Sequence, residues 1–223
     1  MKNKLNWLEA VLLIAPFAIL AALWSKLPSR VPIHWNIRGE IDGWSSKTTG
    51  MLILPLTGLA VVVLLHILSW LDPKLRRSLH KTDRMHRVLQ ILRLVFAAFF
   101  GVLSSVQIAV ALDQTIPSGR MLMASILILL AVLGNYFGNL RPNYFFGIRT
   151  PWTLENPETW RATHRLGGRL IFFGSLFLLI LQFFLSQSAF GFVFVTLMLL
   201  LVVWAFVYSW NHFRTHAAAR ETI

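Results

Sequence analysis

Six apolar runs constrain this chain more than anything else in it; they lie near residues 6–24, 50–70, 89–112, 120–139, 169–186 and 190–210. Each is long enough to cross about 30 Å of hydrocarbon as a helix. A segment surrounded by lipid finds no water for its amides, so it must close its hydrogen bonds internally. The expected fold is an all-α integral membrane protein with six transmembrane helices. Only 13% of the residues are charged, against about a quarter in a soluble domain. Lys2 and Lys4 before the first run resemble the start of a signal peptide, but the run is long for one and no small-x-small cleavage site follows. It is read as a retained helix.

The basic residues are sorted between alternate connections. One set holds Lys2 and Lys4, then Lys74, Arg76, Arg77, Lys81, Arg84 and Arg87, then Arg141, Arg149, Arg161, Arg165 and Arg169, then Arg214 and Arg220. The other set holds only Lys26, Arg30, Arg38, Lys47 and Arg120. The positive-inside rule then puts both termini in the cytoplasm, residues 25–49 outside and residues 140–168 inside. Structured loops are expected after helices 1 and 4. A net charge of +12 would suit nucleic acid, but cations gathered in the connections are accounted for by topology and membrane lipids. No direct nucleic-acid contact is expected.

Chemistry is sparse. Cysteine is absent, which removes disulfides and thiolate catalysis. The central thirds of the runs carry no Asp, Glu or Lys, and no zinc-protease, phosphate-loop or nucleophile-elbow motif occurs. The chain is read as no enzyme, with no catalytic residue, cofactor or metal site. His212 and His216 have the i, i+4 spacing of metal ligands, but no third ligand is near in sequence and a solvated tail accounts for them. Glu9 and His66 are read as interfacial. Arg93 either snorkels or pairs with an acid inside the bundle, and Gln107 is placed to hydrogen-bond between helices.

Two connections carry more than a tether needs. Residues 134–169 are dense in Gly, Pro, Asn, Arg and aromatics, and Pro142, Gly147 and Pro151 set turns. Asn156-Pro157 reads as a helix start, with Glu158 where the dipole favours an anion. A short helix over about residues 157–168 would carry Arg161, Arg165 and Arg169 on one stripe. It suits either a membrane-surface anchor with arginine on lipid phosphates or a partner contact. In residues 25–49, the segment 31–38 alternates apolar and polar as a half-buried extended piece would. Gly39 and Gly43 bracket a turn there. This loop is either a compact cap or the place where an extracellular molecule is met.

The run from Pro32 to Gly43, through His34, Trp35, Asn36, Gly39 and Asp42, resembles a module common at the N-terminus of bacterial membrane proteins of the SdpI family. The run Arg141, Pro142, Asn143, Tyr144, Gly147, Arg149, Thr150, Pro151 and Trp152, continued by Trp160, His164, Arg165, Gly167 and Gly168, resembles that family's signature loop. The resemblance implies two modules, residues 1–70 and 71–223, in a multi-pass protein of the bacterial cell membrane. It further implies immunity to a secreted, membrane-active toxic peptide, as in the sporulation-delay toxin system for which the family is named. A small cytoplasmic helix-turn-helix repressor, held at the membrane when the peptide is bound, is the implied signalling partner. The residues just named are the expected contacts for peptide or partner. The alternative is an exporter of small amphipathic molecules.

Overall fold

The computed structural model describes residues 2–76 and 84–221, so His80 in the second basic connection lies outside the described residues. Helix α1 (Lys2–Leu23) runs into a short 3₁₀ turn and an antiparallel hairpin of β1 (Arg30–Trp35) and β2 (Ile41–Ser46). Helices α2 (Lys47–Leu71), α3 (Pro73–Arg76), α4 (Arg84–Leu112), α5 (Ser118–Phe137), α6 (Pro151–Glu155), α7 (Pro157–Leu181) and α8 (Gln187–Glu221) follow. Among the described residues six helices (α1, α2, α4, α5, α7 and α8) are long and apolar enough to cross a membrane.

The protein is mostly helical, not all-α. The hairpin arises where the alternating segment meets a turn that its own side chains close. The Asn36 side-chain oxygen accepts from the amides of Arg38 and Glu40, and the Gly39 amide donates to the Asn36 carbonyl. Gly39 takes φ +74°, which a residue without Cβ adopts freely. Gln107 of α4 ties the hairpin down by donating to the carbonyls of Pro32 and Gly50. Its partners are thus a strand and a helix start.

A second departure concerns the basic helix expected over residues 157–168. It is continuous with the fifth apolar run, and α7 extends unbroken from Pro157 to Leu181. Asn156 caps it as expected, its side chain accepting from the amides of Glu158 and Thr159. Gly167 and Gly168 do not break the helix because they are packing surfaces. The Gly168 carbonyl lies 2.9 Å from where a Cβ on Gly134 would stand, and the Gly134 carbonyl lies 2.7 Å from the corresponding point on Gly168. A Cβ on Gly138 would stand at an ordinary 3.4 Å from the Arg165 Cα, so it is at Gly134 and Gly168 that α5 and α7 touch backbone to backbone, as small residues allow in lipid. Gly168→Leu is expected to force these helices apart at a cost of about 1–3 kcal/mol. Unfolding in a detergent–denaturant titration measures that loss, and an unchanged midpoint would count against the close contact.

The bundle has two ends. The hairpin, residues 113–117 and residues 182–186 gather at one. The segments flanking residues 77–83, residues 138–156 and the distal part of α8 gather at the other.

Candidate functional site

At the hairpin end, the tip is docked onto the starts of α5 and α8. The Trp35 indole N–H donates to the Ser118 hydroxyl at 2.7 Å. A Cβ on Gly119 would stand 2.6 Å from the Gly39 Cα, and one on Gly191 2.5 Å from an Ile37 side-chain carbon. These contacts leave a cleft of about 360 Å³ between hairpin and helices. His34, Trp35, Asn36 and Gly39 line its polar rim, while Leu122, Met123 and Ile126 of α5 and Phe194 and Val195 of α8 form an apolar floor. Such a cleft can take an elongated apolar group with a few polar contacts at its mouth. On the strand opposite, Asp42 pairs with His34 Nδ1, with both side chains substantially exposed. Gly43 faces His34 across the hairpin, where a Cβ would stand 2.6 Å from the His34 Cβ.

At the other end, the signature loop is folded around its own polar and aromatic residues. Asn143 is buried; its side-chain oxygen accepts from the amides of Phe145 and Phe146, and its nitrogen donates to the carbonyls of Arg141 and Phe146. The buried carboxylate of Asp72, just after α2, accepts from the amides of Lys74 and Tyr144. The Lys74 ammonium sits 4.5 Å above the Tyr144 ring centroid. Thr150 begins α6 with a capping box shared with Thr153, and its hydroxyl reaches Ser209 on α8. Trp152, after Pro151, packs on Phe206 and Trp210.

Trp160 and His164 form the centre of this end, each with no exposed surface. Their rings stack at 4.0 Å, and Phe137 stacks on His164 from α5. The Trp160 indole donates to the Leu140 carbonyl at 2.8 Å. The Ile148 amide donates to His164 Nε2 at 3.0 Å, which makes that nitrogen an acceptor, so Nδ1 carries the proton and donates to the Trp160 carbonyl. Gly147, at φ +110°, lies against the imidazole where any Cβ would overlap the ring. Arg141, Pro142, Tyr144, Gly147, Arg149, Pro151 and Arg165 keep exposed or half-exposed surface around this core.

The expected contact residues therefore fall into two groups. His34, Trp35, Asn36 and Gly39 share one cleft, with Asp42 and Gly43 on the adjoining strand. Residues 141–168 belong to the opposite end, separated by the length of α5, whose 20 residues span about 30 Å. Sequence patterns did not mark the cleft floor, because Ile126 and Phe194 look like any other apolar residues of their runs. They offered an internal acid as one option for Arg93 but did not identify it within an ion cluster between α1, α2 and α4. Arg93 Nε donates to Glu9 at 3.2 Å with both side chains largely buried, and His66 Nε2 stands 3.5 Å from the second Glu9 oxygen. His66 Nδ1 faces the Val62 carbonyl at 3.0 Å. Glu9 is thus the counter-ion of Arg93, which pairs with an acid of the bundle, while the His66 side chain stays about half exposed beside them. His212 meets Thr159 on α7, and the His216 side chain lies outside the described residues.

Comparison with known proteins gives two family matches. Residues 139–209 match the SdpI/YfhL protein family, and residues 11–59 match a domain of unknown function (DUF1648). The chain is 24% identical over 202 residues to a protein of Bacillus subtilis (strain 168) named immunity protein SdpI, covering 90% of this chain and 92% of that one. No solved structure matches the chain.

Proposed function

We propose, from the match of residues 139–209 to the SdpI/YfhL protein family, a multi-pass bacterial membrane protein conferring immunity to a secreted, membrane-active toxic peptide. The observation that carries this reading is the cleft beneath the hairpin, with an apolar floor from α5 and α8 and a rim of His34, Trp35 and Asn36. A hydrophobic peptide would lay apolar side chains on that floor while its polar backbone meets the rim. The Lys and Arg distribution supports a hairpin end facing outward, where a secreted peptide arrives first. At the opposite end, the exposed faces of Arg141, Tyr144 and Arg149 would present cations and an aromatic ring to a cytoplasmic partner. A small helix-turn-helix repressor fits that role.

The test is survival of a Bacillus strain that lacks its own immunity protein, exposed to the sporulation-delay peptide with and without this chain. Protection is expected. Phe194→Asp puts a charge on the cleft floor and His34→Ala removes an exposed rim group. Each is expected to weaken peptide binding by up to about thirtyfold if it is a hot spot at about 2 kcal/mol, with membrane abundance unchanged. Full protection by both variants would remove the cleft from the mechanism.

A second reading is export of small amphipathic molecules, and the Glu9–Arg93–His66 cluster favours it, because ionisable groups inside a membrane bundle often mark proton or substrate paths. It requires efflux of a fluorescent amphiphile that stops when the proton gradient is collapsed. Protection that persists without the gradient excludes it.

A further inference from the structure

The basic stripe of α7 has a neighbour that the hairpin cleft does not involve. Arg161, Arg165 and Arg169 line one wall of an open groove of about 490 Å³, and Tyr208 and His212 of α8 line the facing wall, with Glu158 also in the lining. The Arg161 Nε donates to the Pro157 carbonyl at 3.1 Å, which turns its guanidinium along the helix. Arg165 and Arg169 have no ion pair among the described residues, and both are exposed.

The stripe does not stop at Arg169. The same i, i+4 register continues with Phe173 and Phe177, which are 64% and 60% exposed. Positions four apart lie one above another on a helix face, each step rising about 6 Å. Each such step also turns about 40° around the axis, so Phe173 stands about 40° and Phe177 about 80° from Arg169, and the row is a slanting ridge that passes from three guanidiniums to two bare phenyl rings as the helix enters its apolar part. That order matches an amphiphile whose anionic head precedes its chain. Guanidiniums take phosphate oxygens in bidentate fashion, the Tyr208 hydroxyl can add a donor, and an acyl chain finds Phe173 and Phe177 immediately beyond.

We propose that the α7–α8 groove is a binding site for an anionic phospholipid, with its phosphate on Arg161, Arg165 and Arg169 and its acyl chain along Phe173 and Phe177. The site rests on α7 and α8 crossing a bilayer and is independent of what the hairpin cleft takes. Three clustered arginines against the single lining carboxylate of Glu158 leave the groove cationic and explain the choice of an anionic head over a zwitterionic one. The phenyl rings explain a lipid over free phosphate.

The experiment counts lipids bound to the purified full-length chain in neutral detergent by native mass spectrometry. Phosphatidylglycerol is titrated against phosphatidylcholine of the same chain length. Phosphatidylglycerol is expected to bind more tightly, and the Arg165→Gln, Arg169→Gln double variant is expected to lose roughly twenty-five-fold of that preference, at about fivefold per arginine. Phe173→Ser is expected to weaken the long-chain lipid while leaving a short-chain phosphatidylglycerol unchanged. These residues are exposed, so the variants should melt as the parent does. Equal binding of the two lipids, or a double variant that keeps its preference, overturns the site. Displacement by micromolar inorganic phosphate with no effect of Phe173→Ser would assign the groove to a free anion and overturn the lipid. Tighter binding of a soluble phosphopeptide than of phosphatidylglycerol would overturn it in favour of a protein partner.

Discussion

Trp160→Ala is expected to destabilise the protein by about 3–5 kcal/mol, the range for removing a fully buried tryptophan. The side chain has no exposed surface, its indole N–H holds the Leu140 carbonyl, and its ring is one face of the stack on His164. Removing it opens a cavity at the point where the loop leaves α5 and leaves a carbonyl without its donor. His164 then loses the neighbour that keeps its ring turned toward the Ile148 amide. Trp160→Phe separates the two contributions, because it keeps most of the apolar area and removes only the donor. It should cost about 1–3 kcal/mol, the penalty for one orphaned buried acceptor. Denaturant titration in detergent reads both values, and near-ultraviolet circular dichroism reports whether the aromatic stack survives. A loss below about 1 kcal/mol for Trp160→Ala would mean that the loop is held by its Asn143 and Thr150 hydrogen bonds instead. Any effect of Trp160→Ala on signalling has to be compared at equal folded protein, since its first consequence is structural.

The second large effect is expected at Glu9. Glu9→Ala leaves Arg93, a residue 7% exposed, with no anion paired to it among the described residues. Breaking a buried pair by removing one partner costs about 3–5 kcal/mol, because the surviving charge remains desolvated. The double variant Glu9→Leu, Arg93→Met removes both charges and should recover most of that loss, since well-packed apolar replacements of buried pairs are often neutral. Comparing the two variants divides stability from function. If the double variant is stable and still protects cells, the pair is a structural clasp between α1 and α4. If it is stable and protection is lost, the cluster with His66 takes part in the activity. A Glu9→Ala variant as stable as the parent would mean that Arg93 reaches water or lipid phosphate in the absence of its partner.

Both residues show where sequence reasoning reached its limit. Glu9 sits two turns into α1 and its partner is 84 positions away. Read alone, Glu9 looked interfacial and Arg93 stood between snorkelling and an internal pair, because a long side chain near a helix end usually finds water. Trp160 and His164 looked equally ready for a headgroup, since a tryptophan beside arginines before an apolar run is the composition of an interfacial helix. Nothing in their spacing indicates that Leu140 and Ile148 supply backbone partners on the other side.

What the sequence determined by itself is local or compositional. Six windows of about twenty apolar residues partition into hydrocarbon whatever their neighbours do, so the number of long helices follows from composition. Asn156 caps α7 through bonds to amides two and three residues away, so this too was legible, whereas the turn read between Gly39 and Gly43 closes one step earlier, at Asn36 to Glu40, with Gly43 inside β2. The tertiary structure alone decided which faces meet. In a soluble helix an apolar stripe marks the inward side, but a helix in lipid is apolar on every side, and periodicity no longer distinguishes a buried face from an exposed one. The spacing of Gly134 and Gly138 offers a close helix contact and Arg93 offers an internal pair, but that the partners are Gly168 and Glu9, and that a cleft joins His34 and Trp35 to Ile126 and Phe194, is invisible in the runs that contain them. These contacts exist because close backbone contact and long-range hydrogen bonds select one arrangement of helices that are otherwise chemically alike.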